Sequence, residues 1–99
     1  MQRRDEHCPL CGARLSIDQV FGCCEEVSDL AQGVVACHCP FCQGFFEVRA
    51  SDAGLDIGYL RHGHFDTVGL LSATTGIQCR IDHDAVTFRL GERDWRFEA

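Results

Sequence analysis

The chain contains no lysine and no asparagine, and only two prolines, one methionine, one tryptophan and one tyrosine in 99 residues. Its nine basic side chains are therefore all arginines, set against fifteen acids for a formal charge of −6. That balance opposes sequence-independent binding to a phosphate backbone, which needs a cationic surface and counterion release. The deficit is shared along the chain, with four arginines against seven acids in residues 1–50 and five against eight in 51–99. No basic tail or patch is set apart in either half. A GC-rich coding sequence explains the missing lysine and asparagine more simply than a function does.

Long hydrophobic runs are also lacking. The longest fully apolar stretch is four residues, Val34 to Cys37, far short of the roughly 20 needed to span a bilayer. The segment Met1–Glu6 is charged and no apolar stretch follows it, so no secretory signal is expected. A cytoplasmic location is the expectation. No pairing of nucleophile, base and orienting group stands out, so a non-enzymatic role is favoured and the enzyme question stays open.

Cysteine is what the chain has in excess, with eight in all, seven of them between residues 8 and 42 and Cys79 apart. A domain this short buries a modest share of its surface and gains from a covalent or metal staple. In a reducing compartment, CxxC pairs are more often metal ligands than disulfides. Cys8-Pro9-Leu10-Cys11-Gly12 and Cys39-Pro40-Phe41-Cys42-Gln43-Gly44 repeat one local device. Two intervening residues let a tight turn aim both sulfurs at one ion, and proline presets φ for that turn. Glycine just past the second cysteine is expected to take the left-handed backbone that the turn requires. Four thiolates from Cys8, Cys11, Cys39 and Cys42 form a closed tetrahedral shell, the arrangement of a structural zinc ion. Zinc is favoured over iron because nothing in the sequence suggests electron transfer. With its four thiolates, the ion adds about −2 to the charge.

These paired CPxC turns resemble the rubredoxin-type knuckles of the zinc ribbon superfamily, over residues 7–50. The resemblance implies that the first knuckle precedes a strand and the second sits at a hairpin tip between Val34–Cys39 and Phe45–Arg49. It implies fold and metal only, because zinc ribbons serve many unrelated functions. No family is recognised for residues 51–99.

The expected fold is mainly β: a zinc ribbon over 1–50 and a small antiparallel β-meander over 51–99, packed together as one compact unit. Arg14–Phe21 reads as a strand, and the glycine-bracketed stretch from Gly22 to Gly33 as a loop or one helical turn. Leu55–Arg61 is a further candidate strand, and Phe65–Thr75 leans the same way. The clearest periodicity comes last. Ile77, Cys79 and Ile81, then Val86, Phe88 and Leu90, then Trp95 and Phe97 alternate with polar residues across short turns. That is the pattern of a meander with one buried face. Trp95 and Phe97 are expected against Val86, Phe88 or the ribbon's Phe45 and Phe46.

Four cysteines remain. Cys79 and Cys37 read as inward-facing apolar residues, as free cysteine often is. Cys23 and Cys24, adjacent on a glycine-flanked segment beside Glu25 and Glu26, invite three readings: packing, a second metal site shared with Cys37 or His38, and a redox switch. In the last, one of them forms a disulfide with a zinc ligand and ejects the metal. The neighbouring carboxylates disfavour the thiolate and so count against that switch. In a strand, His62, His64 and Asp66 would share one face, but no nucleophile or base lies beside them. His83-Asp84 reads as a hairpin turn, and His7 as a solvated neighbour of the metal. Phe41, at the tip of the second knuckle, is a candidate docking anchor for another protein. The leading expectation is thus a zinc-binding protein-interaction or regulatory module, with no membrane partner. Two alternatives stand beside it. One is a nucleic-acid-binding ribbon, which requires Arg3, Arg4, Arg14 and Arg49 to cluster. The other is a thiol-redox or metal-handling protein using Cys23, Cys24 and Cys37.

Overall fold

The computed structural model describes residues 7–71 and 74–99. One short helix, α1 (Ile17–Gly22), is followed by β1 (Cys24–Asp29), β2 (Val34–His38), β3 (Phe45–Ser51), β4 (Gly54–Arg61) and β5 (His64–Leu71). These five strands form one antiparallel sheet in chain order. Then β6 (Gln78–Ile81), β7 (Ala85–Leu90) and β8 (Arg93–Glu98) form a second, three-stranded antiparallel sheet. The mainly β expectation holds. The two sheets divide between Leu71 and Gln78, whereas the 51–53 region is the tight turn joining β3 to β4 within the larger sheet.

Two elements differ from the sequence reading. Arg14–Phe21 does not form a strand; its second half is α1. Ser16 Oγ accepts the Gln19 amide at 3.2 Å, and Gln19 Oε1 accepts the Ser16 amide at 2.8 Å. This reciprocal capping box satisfies two donors that would otherwise be orphaned, and Asp18 in the first turn suits the helix dipole. Gly22–Gly33 is likewise more than a loop, since it holds β1, which pairs with β2 from Cys24↔Cys37 to Asp29↔Val34. Two register irregularities in that ladder explain why no clean alternation marks β1 in the sequence.

The core gathers residues from every layer. Val35, Cys37, Phe46, Val48, Leu55, Ile57 and Leu71 of the larger sheet meet Leu15, Val20 and Phe21 near the helix and Val86 and Phe88 of the meander in one buried cluster. Phe21 is the hub. Its ring lies 4.4 Å from Trp95, 5.3 Å from Phe88 and 6.1 Å from Phe97, centroid to centroid. Burying a side chain of this size contributes about 1.5–3 kcal/mol, and aromatic pairing adds to it. The last strand therefore packs on Phe88, as expected, and on the helix; Phe45 is largely exposed. Cys79, expected to face inward, is exposed on β6. It is paired with Phe88, but β6 is an edge strand at the rim, where even Ile81 remains open.

Polar groups inside this core are partnered. Thr74 is fully buried, its hydroxyl donating to the Leu71 carbonyl and accepting the Leu55 amide. The nearly buried Asp56 accepts from Ser51 at 3.0 Å and Thr67 at 3.4 Å, with Arg49 at 3.9 Å. Such partners are what make a buried carboxylate tolerable. No helix among the described residues is long and apolar enough to cross a membrane.

Candidate metal centre

The two CPxC segments fold into near copies of each other. The Cys8 amide donates to the Ala13 carbonyl at 2.7 Å and the Gly12 amide to the Cys8 carbonyl at 3.0 Å. In the second knuckle, the Cys39 amide donates to the Gly44 carbonyl at 2.9 Å and the Gln43 amide to the Cys39 carbonyl at 3.0 Å. The sulfurs are treated alike as well. Cys8 Sγ accepts the Leu10 and Cys11 amides at 3.3 and 3.5 Å, and Cys39 Sγ accepts the Phe41 amide at 3.4 Å. Cys11 Sγ accepts from the Ala13 amide at 3.4 Å and Cys42 Sγ from the Gly44 amide at 3.3 Å.

The left-handed residue of each turn directly follows the second cysteine: Gly12 at φ +78° and Gln43 at φ +63°. Glycine was expected there in both. In the second knuckle Gly44 instead serves close packing, because a Cβ on it would overlap the Leu10 side chain and lie 3.2 Å from Cys42 Sγ. Leu10 of the first knuckle thus rests on the backbone of the second.

Together the knuckles bring all four sulfurs within 4.8 Å of one another. Cys8 and Cys42 are 4.0 Å apart and Cys11 and Cys39 3.8 Å. A regular tetrahedron of thiolates at the usual Zn–S distance has edges of about 3.8 Å. Spacing, softness of the donors and the amides aimed at every sulfur therefore suit one tetrahedral ion held by Cys8, Cys11, Cys39 and Cys42. Bound there, such an ion supplies cross-linking and an electrostatic sink for four thiolates. The ligands divide by depth, with Cys8 and Cys39 buried and Cys11 and Cys42 exposed.

The thiols are tuned unequally. Burial pushes Cys8 up to about 12 against the pull of the Cys11 and Leu10 amides. Burial also opposes ionisation at Cys39, but the Cys42 and Phe41 amides and its thiol neighbours bring it down to about 7. Tyr59, on β4, has a hydroxyl shifted upward by desolvation and then by the negative charge of Cys8. Its place beside the centre carried no signal in the sequence.

The other candidate residues lie outside this quartet. Cys24 and Cys37, directly opposed on β1 and β2, form a disulfide. Cys23 caps α1, donates its thiol to the Val20 carbonyl at 3.1 Å, and is pushed up to about 11 by burial and then by the charge of Cys39. His38 Nδ1 pairs with Glu25 at 2.9 Å, and its ring meets Phe45 edge-on at 4.2 Å. Among the described residues, the Cys8, Cys11, Cys39 and Cys42 quartet is the sole group of three or more such ligands placed to share an ion. His62 sits in the β4–β5 turn at φ +53°, His64 opens β5, and Asp66 pairs with Arg61 at 3.8 Å. His7 bridges to Arg14 beside the first knuckle. Arg49 is engaged by Asp56 and lies over Phe65, while Arg3 and Arg4 fall outside the described residues.

Phe41 is 58% exposed at the knuckle tip, with Leu10 at 46% and Phe45 at 48% also open. Among the described residues, three of the five large exposed apolar side chains thus belong to the knuckles or the strand leaving them. Compared with known proteins, the chain matches no family model, no curated protein and no solved structure.

Proposed function

We propose that this is a small zinc-binding protein whose four-cysteine centre is structural and whose knuckle end is a docking surface for another protein. The observation that carries it is the convergence of four amide-supported sulfurs at the spacing of a zinc tetrahedron. A closed four-thiolate shell leaves no open position for a substrate, which favours scaffolding over catalysis. The centre resembles a zinc ribbon, with its second knuckle at the tip of the β2–β3 hairpin. Phe41, Leu10 and Phe45 are exposed where such a hairpin would offer an aromatic anchor.

Native mass spectrometry tests the metal reading: one zinc per chain is expected, released by acid as protons compete for the thiolates. A protein isolated without metal, and refusing zinc when reduced, would overturn it. The docking reading is tested by Phe41→Ser, which should leave metal content and unfolding midpoint unchanged while weakening a partner identified by cross-linking about tenfold or more. Unaltered partner affinity would place the docking surface elsewhere.

A further inference from the structure

One reading of the sequence has a spare cysteine attacking the metal site. The structure arranges the spare cysteines differently. Cys24 is joined to Cys37, and Cys37 stands two residues before the metal ligand Cys39 on the same β-segment. Val35, Cys37 and Cys39 belong to the central buried cluster while Val34 and Ala36 do not, so the disulfide and the ligand are successive groups on one face of that segment. On the other side, the bridge holds Cys24, which follows the helix and its capping residue on the way from the first knuckle. Next to it, the His38 amide donates to the Cys23 carbonyl at 3.1 Å. The bridge therefore ties the stretch emerging from knuckle one to the strand entering knuckle two. It closes a 13-residue separation inside the longer loop that the metal closes.

We propose that the Cys24–Cys37 disulfide is a redox control on metal affinity, tightening the four-cysteine centre when formed and loosening it when reduced. This rests on the metal reading above. The step is a two-electron thiol–disulfide exchange. A small-molecule dithiol gives two electrons and two protons to the Cys24–Cys37 bond, which breaks into two thiols, and the dithiol closes to its own disulfide. No metal ligand is oxidised or consumed. The physical cause is preorganisation. With the bridge closed, β2 is held against β1 and Cys39 is already placed, so less conformational freedom is lost when the ion binds. On its far side this end of β2 pairs regularly with β3 through Cys37 and His38, but the β1 ladder is irregular beside Cys24, so it is the β1 side, leading back to the first knuckle, that the bridge reinforces. Cys23 is engaged elsewhere, its thiol donating to the Val20 carbonyl at 3.1 Å.

Coupling between two events is reciprocal: whatever reduction takes from zinc affinity, zinc must add to the resistance of the disulfide. A tenfold change in affinity corresponds to about 30 mV for a two-electron couple. The experiment uses the full-length protein. Zinc affinity is measured by competition with a chromophoric chelator, for the disulfide form, for protein reduced with a non-chelating phosphine, and for the Cys24→Ser/Cys37→Ser double variant. The bridge's midpoint potential is then titrated with and without zinc. Reduction is expected to weaken zinc binding about tenfold or more, with the double variant matching the reduced protein. Cys79→Ser should retain the full difference, and zinc should shift the potential by the corresponding amount. One zinc bound equally tightly in both redox forms would overturn the switch and leave the metal reading intact. No zinc in either form would overturn both. A second zinc taken up only on reduction would also overturn the switch, in favour of a metal site at Cys24 and Cys37.

Discussion

The knuckle end and the C-terminal meander are built on opposite plans. Around the knuckles, from Cys8 to Phe46, few side chains follow a period, and order comes from long-range links: four converging sulfurs and one disulfide. In the meander, from Gln78 to Glu98, there is no such link. The strands β6, β7 and β8 pair without register shifts, and aromatic packing on Phe21 joins them to the rest. A chain of 99 residues can thus stabilise one end by closing loops and the other by burying a face, because both routes offset the same conformational entropy. The two plans should also fail differently.

The largest difference is expected on removing a metal ligand. Cys39→Ser should abolish zinc retention and unfold the knuckle end, since a structural zinc site is worth on the order of 10 kcal/mol against a total stability of about 5–15 kcal/mol. Native mass spectrometry and circular dichroism read both consequences; a metal-free variant with an unchanged spectrum would show that the end does not depend on its ion. Next comes Phe21→Ala, which removes the hub between the two plans. It should cost about 3–5 kcal/mol in urea unfolding while leaving the metal stoichiometry unchanged. A loss below about 1 kcal/mol would mean that the meander is held by something other than this contact.

A smaller effect is expected at Thr74, where valine keeps the shape but leaves the Leu55 amide without its acceptor. The expected loss is about 1–3 kcal/mol, measured by the same unfolding curves. The smallest effect has the opposite sign. Gln43 occupies a left-handed conformation that its counterpart Gly12 adopts freely. Gln43→Gly should stabilise the zinc-loaded protein by up to about 1 kcal/mol, the relief of strain being partly cancelled by glycine's greater entropy when unfolded. A drop in midpoint would show that the Gln43 side chain contributes contacts that outweigh its backbone strain.

What could be read beforehand follows the same division. The meander was legible because β7 and β8 each turn alternate residues toward the core, so Val86, Phe88, Trp95 and Phe97 recur at every second position. Cys79 and Ile81 obey that alternation yet remain exposed, because period two reports which face a residue takes and not whether anything covers it. The helix was missed because its two buried residues, Val20 and Phe21, are too few to display a helical period. Its signal lay in the Ser16–Gln19 capping pair. Strand β1 was missed because its irregular register breaks the alternation.

The cysteine quartet was legible because CPxC is a local device: the turn that aims two sulfurs is encoded in consecutive residues, so finding two such turns nearly suffices. The Cys24–Cys37 bridge could not be read that way, since which cysteine faces which depends on the pairing of β1 with β2. By itself, the sequence determined the mainly β character, the four sulfurs and the buried face of β7 and β8, all of them properties of neighbouring residues. Only the tertiary structure decided that β4 and β5 extend the knuckle sheet, that Phe21 joins it to the meander, and that Cys24 is bonded to Cys37 beside the quartet. Those are contacts between distant segments, chosen by register and packing, and no local pattern records them.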